Sequence, residues 1–293
     1  MADPIAGPLA KAIGVYVIEG SALPVAGGSI HQALRYRTPH GSVFLKIGPA
    51  RGAPMFAAEG AGLRALAEAN AIRVPAVLAT GEIAGRAFLC LEWLELVAPT
   101  RVSAAGLGQR LAALHRCHTT EHGWEQDNFI GSTPQCNRRD ASWPRFFRER
   151  RLLPQLDLAR DNRADPLTLD RGQRLAESLE DFFTTHRPRP SLLHGDLWSG
   201  NWGATREGEP AVFDPAVYYG DREADIAMTR LFGGFDASFH AAYEADWPPE
   251  AGAAQRLTLY NLYHVLNHFN LFGGGYLTQA RSMIDRLLAE LGR

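Results

Sequence analysis

Lysine is nearly absent from this chain. Of 30 basic residues only Lys11 and Lys46 are lysine; the others are arginine. The swap reads as coding bias. Against it, a lysine kept in the apolar run Val43-Phe44-Leu45-Lys46 invites an explanation. An ammonium is a compact point charge that a planar guanidinium does not copy. Cysteine is scarce too. Cys90, Cys117 and Cys136 are too few for a disulfide framework, so a reduced, cytoplasmic chain is expected. There is no basic excess: 30 Lys and Arg against 32 Asp and Glu leave a net charge of −2. That argues against a dedicated nucleic-acid partner. No stretch reaches the ~18 apolar residues of a membrane span. Met1 to Gly14 lacks the basic and apolar regions of a signal peptide, so no membrane partner is expected. A monomer is favoured.

What remains is ordinary globular material: 293 residues, 46% hydrophobic and 21% charged. At roughly 150 residues per domain this length suggests two domains or lobes. No repeat or low-complexity tract interrupts it. Residues 15–47 read as strands, with His31 to Arg37 alternating and Ser42 to Ile47 forming a third strand. Residues 54–70 carry Phe56, Leu63 and Leu66 at helical spacing. Residues 73–97 read as two more strands, ending in Leu89-Cys90-Leu91-Glu92-Trp93-Leu94. After Ala98-Pro99-Thr100 the pattern turns helical, apart from a loop over 120–142 and short strands within 191–214. The expected outline is α+β, with a small antiparallel-sheet N-lobe (1–97) and a larger, mainly helical C-lobe (98–293).

Chemistry concentrates in Leu193-His194-Gly195-Asp196-Leu197-Trp198-Ser199-Gly200-Asn201. An apolar strand runs into His-x-Asp-x-x-x-x-Asn, the arrangement of kinase catalytic loops. There the aspartate accepts the proton of the substrate hydroxyl and the asparagine ligates magnesium. Alone, Asp196 reads more readily as a cap or turn residue. A second strand, Ala211-Val212-Phe213, ends in Asp214, thirteen residues after Asn201 and suited to the second metal position. Two hard oxygen ligands fit Mg2+. Lys46 fits the lysine that contacts the phosphates of ATP, and Glu59 the helix carboxylate that steadies it. Gly27-Gly28-Ser29 is a weak candidate phosphate loop, lacking the full glycine pattern. Backbone groups of Glu92 and Leu94 sit where a hinge reads the adenine edge. His115, Cys117, His118 and His122 do not match a common zinc spacing and read as incidental.

In this order the segments resemble the fructosamine kinase (ketosamine-3-kinase) family, relatives of the aminoglycoside phosphotransferases. The most specific wording is His194-Gly195-Asp196-Leu197-Trp198-Ser199-Gly200-Asn201, together with Asp127-Asn128-Phe129-Ile130-Gly131-Ser132-Thr133-Pro134-Gln135. Trp143, Phe146-Phe147, Arg151-Leu152, Asp214-Pro215-Ala216 and Tyr219-Gly220-Asp221-Arg222-Glu223-Ala224-Asp225 extend it along the chain. The resemblance implies a protein-kinase-like two-lobe fold. It also implies ATP-dependent phosphorylation of a ketosamine (ribulosamine, erythrulosamine or fructosamine) at the sugar 3-hydroxyl, leading to deglycation of amines or proteins. A kinase of another small alcohol, aminoglycoside- or choline-kinase-like, is the alternative, and a nucleotide-binding pseudokinase the next. Trp198 and Asn128 are the expected acceptor-site residues. Asp225 is expected to accept backbone N–H bonds beneath the catalytic loop. Asp221, where the family has histidine, is expected to lie outside the chemistry. Family members with a cysteine in the glycine loop use it as a redox switch; this loop has none, so no such control is expected.

Overall fold

The computed structural model describes residues 3–25 and 31–293. The candidate phosphate loop Gly27-Gly28-Ser29 therefore lies outside the described residues. The chain opens with a helix, α1 (Ala6–Ile13), that the sequence reading did not anticipate. Eight residues containing Gly7 and Pro8 carry little helical periodicity. What starts the helix is Asp3, whose Oδ1 accepts from Ile5 N and Ala6 N, at 3.0 and 3.3 Å. Gly14, left-handed at φ 68°, ends it.

Then come β1 (Leu23–Pro24), β2 (Gln32–Thr38), β3 (Gly41–Pro49), α2 (Ala53–Glu68), β4 (Val77–Ile83) and β5 (Arg86–Glu92). The strands form one antiparallel sheet in the order β1-β2-β3-β5-β4. Alternation along β3 explains its two faces. Val43, Leu45 and Ile47 are buried with Leu9, Phe88 and Cys90 in a core beneath α1. Phe44 and Lys46 point to the opposite face, opposite Leu91 and Leu89 of β5. That second face meets α2, whose Phe56, Leu63 and Leu66 share a core with the C-terminal two-thirds of the chain. Gly62 sets how close α2 comes. A Cβ there would lie 3.1 Å from Val217 and 3.4 Å from Pro215, so a larger side chain would push the helix off the segment after Asp214.

The rest is mainly helical. It comprises β6 (Leu96–Val97), α3 (Arg101–His115), β7 (Asn128–Ile130), β8 (Thr133–Gln135), α4 (Trp143–Phe147), α5 (Leu153–Asp161) and α6 (Pro166–Glu177). It continues through β9 (Ser191–Leu193), β10 (Trp202–Thr205), β11 (Pro210–Val212), β12 (Tyr218–Gly220), α7 (Glu223–Leu231), α8 (Ala237–Asp246), α9 (Ala253–Phe272) and α10 (Tyr276–Glu290). Thr100 and Ser103 start α3 with a reciprocal capping box. β10 pairs with β11 and with β6, and β12 pairs with β9. The stretch read as a loop holds the β7–β8 hairpin, six paired residues around a left-handed Gly131. A π-helical turn, Arg148–Leu152, joins α4 to α5. It carries Arg151, fully buried, into the hairpin region: Nη1 donates to Cys136 O at 2.7 Å and Nη2 to Asn137 Oδ1 at 2.6 Å. The fold is α+β, a small antiparallel sheet packed on a larger, mainly helical region, as expected. Among the described residues no helix is long and apolar enough to cross a membrane.

Candidate active site

Three elements converge between sheet and helices. Lys46, on the open face of β3, extends its ammonium to Glu59 Oε1 of α2 at 2.8 Å and to Asp214 Oδ1 at 2.7 Å. Glu59 lies six residues past Ala53, in the second turn of α2, so helix and strand face each other at that level. Burial alone would discharge Lys46, but Glu59 and Asp214 outweigh it and raise its pKa. Burial, with the nearby Asp214 charge, pushes Glu59 up to about 7 against the pull of Lys46. Asp214 follows β11 with a left-handed backbone, φ 58°, rare for a residue with a side chain. That conformation turns its carboxylate back toward Lys46.

The catalytic-loop candidate follows β9. Gly195 is left-handed at φ 83°, and a Cβ there would fall 2.0 Å from Ala216 O, so only glycine fits. Asp225 of α7 lies beneath, accepting from His194 N at 2.7 Å and Gly195 N at 2.8 Å. Burial would raise its pKa, but hydrogen bonds from His115 and Gly195 help hold it below the usual range. His194 is buried and its pKa is lowered by that burial. Its Nδ1 accepts from Asp196 N at 3.3 Å, so the proton is on Nε2, which donates to Phe213 O at 3.0 Å. One neutral imidazole thus ties the loop of Asp196 to the strand end that carries Asp214. Burial, then the Asp214 charge, pushes Asp196 up to about 7.

Asn201 Nδ2 donates to Asp196 O at 2.8 Å, to Asp196 Oδ2 at 3.3 Å and to Asp214 O at 3.4 Å. Its nitrogen is engaged with the loop, which leaves the carbonyl oxygen for a cation. That oxygen and the Asp214 carboxylate are both hard donors and fit Mg2+. Trp198 is exposed (39%), and its ring lies across Gly200, where a Cβ would sit 2.2 Å from it. An aromatic face therefore stands open two residues from Asp196.

The remaining expected positions divide. Glu92 ends β5, and Leu94 lies in the connection to β6. The Glu92 side chain faces away from any ligand role, pairing with Arg73 and accepting from Ala76 N at 3.1 Å. Only its backbone remains for the hinge role expected of it. Asn128, expected at the acceptor site, is buried at the start of the β7–β8 hairpin. It is 4% exposed and spent on structure: Nδ2 donates to Val217 O at 2.8 Å. Its Oδ1 accepts from Gln135 at 2.8 Å and from Asn137 at 2.9 Å. Both lone pairs of its oxygen and one of its two N–H donors are thereby engaged, and the side chain is buried. Asn128 instead laces the β7–β8 hairpin to the chain just past Asp214. Asp221 is buried too, accepting from Tyr260 at 2.6 Å and pairing with His186 at 2.8 Å, outside the site as expected. Sequence reading passed over Phe44. It shares the Lys46 face two residues upstream, 6.3 Å from the ring of Trp93 in the hinge connection. The available signal was the two-residue offset from Lys46 on an alternating strand.

The family profile described as fructosamine kinase matches residues 1–290. A probable ketoamine kinase of Synechocystis is 46% identical over 90% of this chain and 89% of its own length. A chloroplastic protein-ribulosamine 3-kinase of Arabidopsis thaliana is 42% identical, over 91% of this chain and 82% of its own. A crystal structure from Haemophilus somnus, assigned as a fructosamine-3-kinase, superposes with a TM-score of 0.88 at 30% identity. It covers 97% of this chain and 96% of that one.

Proposed function

This chain belongs to the fructosamine kinase family, and from that premise we propose that it transfers the γ-phosphoryl group of ATP to the 3-hydroxyl of a protein- or amine-bound ketosamine, a ribulosamine foremost. It is an ATP-dependent phosphotransferase. The observation that carries the reading is the convergence of Lys46, Glu59, Asp196, Asn201 and Asp214 from a strand, a helix and two loops. A pseudokinase usually lacks one of the lysine, base or metal positions; here they stand within hydrogen-bonding reach of one another.

In the mechanism Asp196 orients the sugar hydroxyl and takes its proton as the phosphoryl group transfers. A carboxyl pushed up to about 7 is matched to that exchange near neutrality. Lys46 binds phosphate oxygens and is held in place by Glu59. Asn201 and Asp214 would hold Mg2+, which would supply positive charge against the phosphates of ATP. Phe44 and the backbone of Glu92 and Leu94 receive the adenine. Trp198 offers its open face to the ketosamine. Excluding water and fixing these groups supplies most of the rate. With phosphate on the carbon next to the sugar carbonyl, enolisation toward the amine-bearing carbon expels inorganic phosphate and leaves an imine, which water hydrolyses to the free amine and a dicarbonyl sugar fragment.

The test is ATP consumption with magnesium on ribulose-, erythrulose- and fructose-lysine, with choline and an aminoglycoside as controls. Phosphorylation at O3, fastest on ribulose-lysine, is expected. Turnover confined to a control refutes the ketosamine reading, and a faster erythrulose- or fructose-lysine refutes the choice of sugar.

A further inference from the structure

Asp225 is held by more than the loop it supports. Its Oδ2 also accepts from His115 Nε2 of α3, at 3.1 Å. The other ring nitrogen, Nδ1, lies 2.8 Å from the hydroxyl of Tyr243 on α8. That hydroxyl accepts from Arg222 Nη1 at 3.3 Å, so its own proton points at His115. The donation therefore runs from Arg222 to Tyr243 to His115 to Asp225, and the imidazole proton is left on Nε2. Arg222 is itself fixed, donating to Pro248 O at 2.8 Å and lying over the ring of Trp247, 4.5 Å from its centroid. All four side chains are buried: 5%, 1%, 0% and 1% exposed in the same order.

We infer that His115 is a positioning residue for phosphoryl transfer, setting the orientation of the Asp225 carboxylate and through it the Gly195 peptide that aims Asp196. This rests on Asp196 being the base. The lever is short. Asp225 Oδ1 holds Gly195 N and Oδ2 holds His194 N, and Asp196 is the next residue. Gly195 cannot relax toward Ala216, because nothing larger than its hydrogen fits there. A carboxylate free to turn therefore passes its motion to the loop. His115 supplies the one side-chain hydrogen bond among the described residues that stops it turning. Burial makes the bond count, because water cannot replace the lost donor.

His115→Phe removes both nitrogens and keeps the bulk. His115→Gln keeps an N–H where Nε2 stands. Initial rates with the best ketosamine, well below both melting temperatures, separate aim from packing. A hydrogen bond to a buried charge, if expressed in the transition state, is worth roughly ten- to a hundredfold. We expect kcat of His115→Phe to fall by about that much, with KM for ATP within about threefold. His115→Gln should keep at least about a third of wild-type kcat. Equal kcat in the two variants, or a loss carried by KM, overturns the inference. If His115→Phe does not fold, Tyr243→Phe, which deletes one oxygen, decides. It should lower kcat severalfold with KM for ATP unchanged, and an unchanged kcat overturns the inference. Asp196→Asn in the same assay keeps the two readings apart: normal turnover there sinks the base assignment, whatever the His115 result.

Discussion

Replacing Asp196 by asparagine should destroy turnover and stabilise the protein, with an effect that grows with pH. In the folded chain burial and Asp214 raise this carboxyl from 3.8 to about 7. In the unfolded chain it titrates near its ordinary value. Between about pH 4 and 7 the folded state keeps a proton that the unfolded state has released, so stability falls as pH rises through that window. Asparagine has no such dependence. At 1.36 kcal/mol per pH unit the full difference is about 4 kcal/mol. Asp196 is only half-buried, and water screens it, so about half, ~2 kcal/mol, is the better figure. At roughly 2 °C per kcal/mol that is a gain of about 4 °C in Tm at pH 8, shrinking toward zero at pH 4.5. The assay is thermal and urea unfolding of both proteins at the two pH values, without nucleotide or magnesium, beside steady-state rates. General-base removal should cost at least about a hundredfold in kcat. A variant less stable than the parent at pH 8, or one that keeps its turnover, refutes the reasoning.

The other expectations follow from single contacts. The same titration should appear in catalysis: kcat/KM for the ketosamine falls on the acid side with an apparent pKa no higher than about 7, and a flat profile from pH 5 to 8 would count against Asp196 as base. Lys46→Met strips two carboxylates of their cation and should weaken ATP binding by about tenfold or more, read by nucleotide titration; unchanged affinity would remove Lys46 from the phosphate site. Asn128→Ala leaves Val217 O, Gln135 and Asn137 with buried unmet groups. It should cost about 2–4 kcal/mol of stability while KM for the ketosamine stays within about twofold. A selective rise in that KM would return Asn128 to the acceptor site. Gly195→Ala drives a methyl into Ala216 O and should abolish turnover even where folded protein can be recovered.

Much of the site could be read before any coordinates because its spacing is forced by local geometry. The four residues between Asp196 and Asn201 are just enough for the asparagine to fold back onto the aspartate, as its bonds to Asp196 O and Oδ2 show. Lys46 and Glu59 are separable in sequence for a similar reason: strand alternation fixes the side of one, helical rise the level of the other. What was not legible is where a polar side chain spends its hydrogen bonds. Asn128 sits in a stretch full of polar residues, and nothing local says that its amide closes on Val217, 89 residues away. His115 reads as an incidental histidine at a helix end until Asp225, 110 residues on, is placed beside it. Helix α1 was missed because its start signal, Asp3, precedes a segment too short and too rich in glycine and proline to show a period.

Gly62 has a consequence for control. In kinases that are switched, the helix bearing the lysine's carboxylate partner swings away and the pair breaks. Here that helix is wedged by a missing side chain against Val217 and Pro215, and its apolar face belongs to the same core as the catalytic loop's supports. Moving it would open a cavity in the centre of the molecule. The lysine and its partner should therefore stay paired in the folded chain, with throughput following the supply of ATP and ketosamine. An enzyme built this way behaves as standing maintenance, with its rate set by how much there is to mend.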